Sequence, residues 1–248
     1  MKKAFITGAN KGIGLETARQ LLQKGHYVYL GSRNLEKGTE AVKQLKSDGL
    51  ANVEVIRIDV SNDDSVKNAR LEIGKKTEAI DILINNAGIT GGMPQSAIEA
   101  SIEKQFKVAY ETNVFGVVRV TQAFIDLLKN SPEPRIVMVS SSQGSITLHS
   151  DTAYNYKYYD YKGAVYLSSK SALNMYTVNL AYELRDTKFK INAVSPGFTK
   201  TGLNNNQGTG TVEDAAKRIV KYTLIDNDGD TGKFFCEETN PEGGEIPW

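Results

Sequence analysis

Short apolar segments alternate with longer segments of helical periodicity along the whole chain. Seven segments rich in β-branched and aromatic residues are predicted strands: Ala4–Thr7, Tyr27–Leu30, Val53–Ile58, Ile80–Asn85, Arg135–Ser140, Lys190–Val194 and Lys233–Cys236. Several are nearly continuous apolar runs, which is typical of strands that are covered on both faces. The segments between them predict helices: Gly12–Lys24, Leu35–Ser47, Asp63–Lys76, Ile102–Asn130, Ala164–Arg185 and Val212–Leu224.

This alternation predicts the α/β class, with a doubly wound, mostly parallel seven-stranded sheet and helices on both faces. Such a Rossmann-like sheet binds ligands at the carboxyl ends of its strands, so candidate chemistry is sought where strands end. Because no repeat or low-complexity linker interrupts the pattern, we expect a single domain over residues 1–248.

Composition excludes several classes of protein. Thirty basic and 29 acidic residues give a formal charge of +1, which offers no field to attract nucleic acid or an anionic membrane. The mean hydropathy is −0.36 and there is no long uncharged apolar stretch, so no membrane span is expected. Cys236 is the only cysteine and there are two histidines, so we expect neither a disulfide nor a metal site. The apolar run behind the first lysines is too short for a signal peptide, and a cytoplasmic protein is predicted.

The first predicted strand ends in a glycine-rich loop, Thr7-Gly8-Ala9-Asn10-Lys11-Gly12-Ile13-Gly14. Gly8 lets the chain turn sharply off the strand, while Gly12 and Gly14 lack the Cβ that would keep the backbone away from a pyrophosphate. The helix that follows presents unpaired N–H groups and a partial positive charge. Since the loop lies between a strand and a helix, it favours nucleotide binding over a plain glycine-rich turn.

Two cations predict which dinucleotide is bound. Lys11 lies near a helix N-terminus, where a positive charge is unfavourable unless an anion accompanies it. Arg33 follows the second strand, where an NAD site usually has an acid that binds the ribose 2′-hydroxyl. Lys11 and Arg33 together suit a 2′-phosphate, which predicts NADP(H); the alternative is that both are ordinary surface charges. Asp59, after the third strand, is a candidate acceptor for the adenine amino group.

The predicted helix after the fifth strand carries a candidate proton donor. Tyr166 and Lys170 are four residues apart and share one helix face. A nearby ammonium favours the phenolate, and lowering the phenol pKa from about 10 to about 7 requires roughly 4 kcal/mol. A phenol tuned in this way is a general acid for a carbonyl oxygen. Tyr158 and Lys162 have the same spacing, but they lie in a polar, tyrosine-crowded stretch, so Tyr166 and Lys170 are preferred.

Six motifs occur in order along the chain: Thr7-Gly8-x3-Gly12-x-Gly14, Asn85-Asn86-Ala87-Gly88, Asn113, Ser141, Tyr166-x3-Lys170 and Ser195-Pro196-Gly197. Each motif alone is of modest specificity, but their combination resembles the short-chain dehydrogenase/reductase family over essentially the whole chain. Within that family the sequence is most similar to the NADPH-dependent carbonyl reductases, as Arg33 and the final Trp248 also indicate.

The resemblance implies roles for the matching residues. Tyr166 would donate the proton, and Lys170 would lower its pKa and bind the nicotinamide ribose. Ser141 would polarise the substrate carbonyl, and Asn113 would hold a water in a proton relay. Taken alone, Asn113 indicates a helix residue with local hydrogen bonds, and Ser141 a turn residue at a strand end. The implied cofactor-binding residues are Gly8, Asn10, Lys11, Gly12, Ile13, Gly14, Arg33, Asp59, Val60, Asn86, Ala87, Gly88, Tyr166, Lys170, Pro196, Gly197 and Thr199.

The predicted function is hydride transfer from NADPH to a ketone or aldehyde carbonyl of a small molecule. Two alternatives stay open: an alcohol dehydrogenase acting on a sugar, steroid or other metabolite, and a catalytically idle NADP-binding sensor. Tyr166 follows Ser141 by 25 residues, a longer gap than most family members have. Because monomeric carbonyl reductases carry an insertion over the surface that others use to dimerise, residues 142–165 favour a monomer over a homodimer.

Overall fold

The computed structural model describes residues 1–151 and 162–248. Within these residues the strands are β1 (Lys3–Ile6), β2 (Tyr27–Ser32), β3 (Val53–Arg57), β4 (Ile82–Asn85), β5 (Arg135–Val139), β6 (Lys190–Val194) and β7 (Phe234–Phe235). They form one seven-stranded sheet in the order β3-β2-β1-β4-β5-β6-β7, and every pairing is parallel. The order reverses direction between β1 and β4, and this reversal is where a doubly wound sheet opens a crevice for ligands.

Helices connect the strands and cover both faces of the sheet. They are α1 (Gly12–Gln23), α2 (Leu35–Ser47), α3 (Asp63–Gly74), α4 (Lys107–Tyr110), α5 (Gly116–Lys129), α6 (Ile146–Ser150), α7 (Ala164–Glu183) and α8 (Val212–Thr223). A π-helical turn, Ile102–Phe106, precedes α4, and a second one, Glu111–Phe115, joins α4 to α5. The doubly wound α/β fold predicted from the sequence is therefore confirmed.

The described core has two large apolar layers, one on each face of the sheet, and a smaller cluster around Phe234 of β7. Neighbouring strand residues point to opposite faces, so Ile6 of β1 belongs to the layer under α1, α2 and α8. Phe5 belongs to the other layer, where its ring centroid lies 4.7 Å from that of Phe124 in α5. Both faces are thus buried, which is why the strand sequences are continuous apolar runs.

Most predicted elements agree with the structure to within two residues at each end. The bounds of α2 and β6 are those predicted, whereas β7 has two residues instead of four. It is short because the backbone N–H of Cys236 turns away and donates to the carbonyl of Gly244. The predicted helix over 102–130 is one continuous path, but π-helical and α-helical turns alternate in its first half. The five-residue helix α6 was not predicted.

Two further observations concern residues 1–151 and 162–248 only. No helix there is long and apolar enough to cross a membrane. No group of three or more His, Cys, Asp or Glu side chains there is arranged to hold a metal ion. The whole tyrosine-crowded stretch, residues 154–161, lies outside the described residues, and with it Tyr158 of the alternative motif.

Candidate active site

Most of the predicted site residues follow strand ends along one edge of the sheet. Because all strands are parallel, their carboxyl ends meet at this edge. The residues that follow β1 to β6 there are Gly8, Asn10, Lys11, Gly12, Ile13 and Gly14; Arg33; Asp59 and Val60; Asn86, Ala87 and Gly88; Ser141; and Pro196, Gly197 and Thr199. Asn113, Tyr166 and Lys170 come from the helical segments.

The glycine-rich loop needs its glycines for conformation and for space. Gly8 and Gly12 have φ angles of +63° and +55°, in the left-handed region that side chains disfavour. A Cβ on Gly8 would lie 3.0 Å from the Cα of Ala87. A Cβ on Gly14 would lie 2.8 Å from the carbonyl oxygen of Gly8, and closer still to Nδ2 of Asn86. The loop therefore packs directly against the segment that follows β4.

Side chains of Thr7 and Asn86 hold these two segments together. Oγ1 of Thr7 accepts from the backbone N–H groups of Asn86 at 3.0 Å and Ala87 at 3.1 Å. In return, Nδ2 of Asn86 donates to the carbonyls of Thr7 at 2.9 Å and Gly8 at 3.0 Å. These bonds fix the loop beside the crevice between β1 and β4.

The N-terminus of α1 lacks the side-chain cap that α2, α3 and α8 have. Asn34, Asn62 and Thr211 cap α2, α3 and α8 by accepting a backbone N–H. At the same place on α1 stands Lys11, with no side-chain cap, and the first turn contains no acid. The amide dipoles and the lysine charge therefore face the edge of the sheet without a protein anion. This arrangement fits the pyrophosphate of a dinucleotide.

A cavity of about 550 Å³ lies beside β2 and β3 and is lined by Arg33 and Asp59 among others. Oδ1 of Asp59 accepts from the backbone N–H of Ser61 at 3.0 Å and from its hydroxyl at 2.6 Å, so this carboxylate is held in place. Val60 is buried, and a Cβ on Gly116 would lie 2.9 Å from its Cγ2. The predicted adenosine-binding residues thus share one part of the edge.

Lys170 is a buried cation at the centre of the edge. Its side chain is 4% exposed, and Nζ donates to the carbonyl of Val139 at 2.8 Å. Nζ lies 5.7 Å from the ring centroid of Tyr166, one helical turn earlier. Burial disfavours the charged form and lowers the pKa of Lys170 to about 8. Because little negative charge in the protein compensates the ammonium of Lys170, this side chain favours a negative or polar group nearby.

Asn113 joins three segments instead of making bonds within its own helix. It is fully buried, and its Oδ1 accepts from the backbone N–H of Ile89 at 2.9 Å. Its Nδ2 donates to the carbonyl of Ile89 at 2.8 Å and to Oγ of Ser169 at 2.9 Å. Asn113 lies in a π-helical turn, a feature that often marks functional sites. A Cβ on Gly88 would lie 3.4 Å from its Oδ1 and 3.6 Å from Nζ of Lys170.

Ser141 lies in a turn that is packed against α7. The turn residue Gly144 leaves no space for a side chain, since its Cβ would lie 2.8 Å from the Cβ of Lys170. Its carbonyl accepts from Oγ of Ser171 at 2.9 Å and from Nδ2 of Asn174 at 3.2 Å. Oδ1 of Asn174 accepts from Oγ of Ser140 at 2.6 Å. Asn174 therefore holds the turn on both sides of Ser141.

Tyr166 is half-buried in the first turn of α7. Its backbone N–H donates to Oε1 of Gln95 at 3.0 Å, and its carbonyl accepts from Oγ of Ser169 at 2.7 Å. Ser169 thus links Tyr166 to Asn113. Sequence reasoning did not identify Gln95, Ser169 or Asn174 as parts of this site. Only Ser169 has a sequence signal, because it lies within the Tyr166-x3-Lys170 motif.

The segment after β6 turns at Gly197, whose φ angle is +87°. The carboxylate of Glu238 accepts from the backbone N–H of Phe198, with oxygens at 3.0 and 3.2 Å. Nη1 of Arg218 donates to the carbonyl of Pro196 at 2.6 Å. Thr199 is buried, and its Oγ1 donates to the carbonyl of Gly197 at 3.2 Å. These bonds hold the segment at the sheet edge, beyond the end of β6.

Comparison with known proteins places this chain in a family. The model of the short chain dehydrogenase family matches residues 2–211. A (+)-neomenthol dehydrogenase from Capsicum annuum is 33% identical in an alignment 298 residues long, which covers 94% of this chain and 94% of that protein.

Two solved structures superpose closely on this one. The salutaridine reductase of Papaver somniferum has a TM-score of 0.81 at 31% sequence identity and covers 94% of this chain and 99% of its own. The NADPH-bound carbonyl reductase from chicken fatty liver has a TM-score of 0.83 at 26% identity, covering 100% of this chain and 99% of its own. The resemblance drawn from the order of the motifs is confirmed, and the chain belongs to the short-chain dehydrogenase family.

Proposed function

We propose that this protein is an NADPH-dependent carbonyl reductase, with both the dinucleotide site and the catalytic groups in a single domain. One observation carries the proposal. Lys170 is buried with a single carbonyl partner among the described residues, and its Nζ lies 5.7 Å from the ring centroid of Tyr166, beside the turn that contains Ser141. Burying a cation with little compensating charge lowers the stability of the fold. A cation beside a phenol is, however, the pairing that a proton donor requires.

The cofactor would lie along the edge of the sheet. The uncapped N-terminus of α1 and the glycines before it would bind the pyrophosphate, with Lys11 and Arg33 at the 2′-phosphate and Asp59 at the adenine. The segments at residues 86–88 and 196–199 would line the ribose and the carboxamide. When bound, the reduced nicotinamide supplies a hydride to the substrate's carbonyl carbon.

Tyr166 would donate the proton that the developing alkoxide needs. Because the pKa of Lys170 is about 8, most of these side chains carry a positive charge at pH 7. That charge stabilises the phenolate left on Tyr166 once its proton has moved to the substrate oxygen. The same ammonium would bind the nicotinamide ribose, since Nζ lies close to Gly88.

Ser141 and Asn113 would support this proton transfer. The hydroxyl of Ser141 would donate to the substrate oxygen, which adds stabilisation where negative charge develops. The side chain of Asn113 has its own partners, Ile89 and Ser169, so it fixes the π-helical turn in place. Any water of the proton relay would then bind the backbone of that turn.

Two relatives support a carbonyl substrate, since one is named a carbonyl reductase and another a salutaridine reductase. The neomenthol dehydrogenase favours a second candidate, the oxidation of a small alcohol by the same groups. Cofactor preference separates the two: NADPH oxidation with aldehydes, quinones, diketones and ketoesters supports reduction, and a preference for NAD⁺ with alcohols supports oxidation.

The decisive experiment is the Tyr166→Phe substitution. It removes one hydroxyl and should reduce turnover at least a thousandfold, while the dissociation constant for NADPH changes less than twofold. Tyr182→Phe is the matched control, because Tyr182 is an exposed tyrosine on the same helix. Full activity of Tyr166→Phe would disprove the mechanism. Tight NADPH binding with no turnover of any carbonyl by the wild type would indicate a sensor instead.

The proposal also includes a monomer in the cytoplasm. Sedimentation of the purified protein at several concentrations tests the first part, since a dimer would have twice the mass of 27.2 kDa. Fractionation of cells that express the protein tests the second.

A further inference from the structure

Two arginines differ from all others in the chain. There are eight arginines in the sequence, and six of them bond to a carboxylate, a side-chain amide or a backbone carbonyl. Arg33 and Arg57 are the other two, and neither has a hydrogen bond or an ion pair with any described residue. Their guanidinium groups are therefore available to a ligand, and guanidinium is the group that best matches a phosphate.

Arg33 and Arg57 line the same cavity of about 550 Å³. In the parallel ladder between β2 and β3, Ser32 pairs with Arg57, and Arg33 is the next residue after Ser32. Adjacent strands lie about 5 Å apart, so both guanidinium groups start from neighbouring strand ends. Both residues are exposed and so have access to a ligand from solvent.

The acids in this cavity do not neutralise the arginines. Asp59 is engaged by Ser61, and Glu72 pairs with Lys76 at 3.4 Å. Asp64 and Glu72 lie on α3, whereas Arg33 follows β2 and Arg57 ends β3. Asp59 lies two residues after Arg57, but no acid among the described residues forms an ion pair with either arginine. Both guanidinium groups are therefore available to an anion.

We propose that Arg57 is a second arginine for the 2′-phosphate of NADP(H), acting together with Arg33. This proposal rests on the proposed function, which assigns the phosphate to Lys11 and Arg33 and the adenine to Asp59. A phosphomonoester carries close to two negative charges and three acceptor oxygens, which matches two guanidinium forks better than one. Arg57 belongs to none of the sequence motifs. It is the last residue of β3 and lies two residues before Asp59, the predicted adenine acceptor.

Arg57 has one rival role at the same place, stacking its guanidinium plane on the adenine. Stacking strengthens the binding of every adenine nucleotide equally, with or without the 2′-phosphate. Binding to the phosphate strengthens only nucleotides that carry it. Paired ligands that differ in this one group therefore separate the two roles.

The test measures dissociation constants by calorimetry for NADPH and NADH, and for 2′,5′-ADP and 5′-AMP. Arg57→Gln should weaken the binding of NADPH and 2′,5′-ADP about tenfold, a typical loss for one charge-assisted contact, and leave NADH and 5′-AMP within twofold. Arg57→Lys should retain part of the affinity, and Arg33→Gln should show the same ligand pattern. Arg185→Gln is the control, since Arg185 is an exposed arginine at the far end of α7, paired with Asp186.

Each remaining outcome overturns the proposal in a recognisable way. An equal loss for NADPH and NADH in Arg57→Gln would assign stacking instead. If the wild type binds NADPH tightly and Arg57→Gln binds it equally well, then Arg57 is not part of the site, and the proposed function is unaffected. A wild type that binds NADPH no more tightly than NADH would overturn both the arginine pair and the NADPH-dependent function.

Discussion

The two ends of the candidate site are built by different means. At the dinucleotide end, the glycine-rich loop depends mainly on its backbone: glycines at positive φ, tight contacts that no Cβ can enter, and a helix N-terminus without a cap, with Thr7 and Asn86 bonding the loop to the segment after β4. The reacting end depends on buried side chains that bond across elements far apart in sequence. Asn113 reaches Ser169, and Asn174 reaches Ser140, over 56 and 34 residues.

This difference determines what each end tolerates. A backbone site fails when volume is added, because packed interiors have no space for even one extra methyl group. A side-chain site fails when a partner is removed, because the polar group left behind is buried without a hydrogen bond. One substitution that adds volume and one that deletes a partner therefore test the comparison directly.

Gly14→Ala should have the largest effect. The new Cβ would lie 2.8 Å from the carbonyl oxygen of Gly8 and 3.0 Å from the Cα of Ala9, both backbone atoms. We expect the free energy of unfolding to fall by about 3 kcal/mol. NADPH affinity should fall at least a hundredfold, as the loop moves away from its position beside Asn86. Thermal unfolding and calorimetry measure these two changes.

Gly202→Ala is the matched control for Gly14→Ala. A Cβ there meets nothing within 4 Å, and the residue does not have a positive φ. Its stability should change by less than about 0.5 kcal/mol. If the two alanine variants bind NADPH equally well, the loop does not depend on its lack of side chains.

The sequence predicts the backbone end better than the reacting end. The glycine spacing, the position of the loop between a strand and a helix, and the apolar runs of both strands are all local patterns. They identify residues 7–14 and the bounds of α2 and β6 because local propensity and burial agree there. By contrast, the π-helical turn at Asn113 follows from contacts with Ile89 and Ser169. These contacts join residues far apart in sequence, so helical periodicity does not reveal them.

Asn174→Ala should have the next largest effect, and it tests the reacting end. Oγ of Ser140 would lose its acceptor and the carbonyl of Gly144 one of its two side-chain donors, which costs about 2 kcal/mol of stability. Because the turn on both sides of Ser141 is then less firmly held, kcat for carbonyl reduction should fall about tenfold. The dissociation constant for NADPH should stay within twofold, as the glycine loop is unaffected.

Asn179→Ala serves as the control on the same helix. Asn179 is exposed, and its Nδ2 donates to the carbonyl of Met175 in its own helix. It should leave both kcat and NADPH binding unchanged. A loss of NADPH affinity in Asn174→Ala as large as the loss of kcat would mean that the two ends are not built separately.

Asn174 and the proposed phosphate-binding residue Arg57 illustrate why the sequence does not identify every residue of the candidate site. Asparagine within a helix and arginine at a strand end are common, and nothing in the adjacent sequence distinguishes these two. Their significance appears only when partners are known: Asn174 has two across the site, and Arg57 has none among the described residues while it lines a cavity with Arg33. Pairing is a tertiary property, and periodicity does not encode it.

Lys11→Ser should have the smallest effect on stability and the opposite sign. The backbone at Lys11 is extended, with φ −164° and ψ 167°, a conformation that suits a capping serine. A serine hydroxyl would accept one of the open N–H groups and remove an unfavourable cation, raising the free energy of unfolding by about 1 kcal/mol without ligand. NADPH affinity should fall about tenfold, because the serine competes for an amide and the lysine charge is lost.

Lys24→Ser, at the other end of α1, is the control: it should lower stability slightly, since a cation suits a helix C-terminus, and leave NADPH binding unchanged. If Lys11→Ser gains no stability without ligand, or binds NADPH as tightly as the wild type, then the open helix end is not reserved for a phosphate.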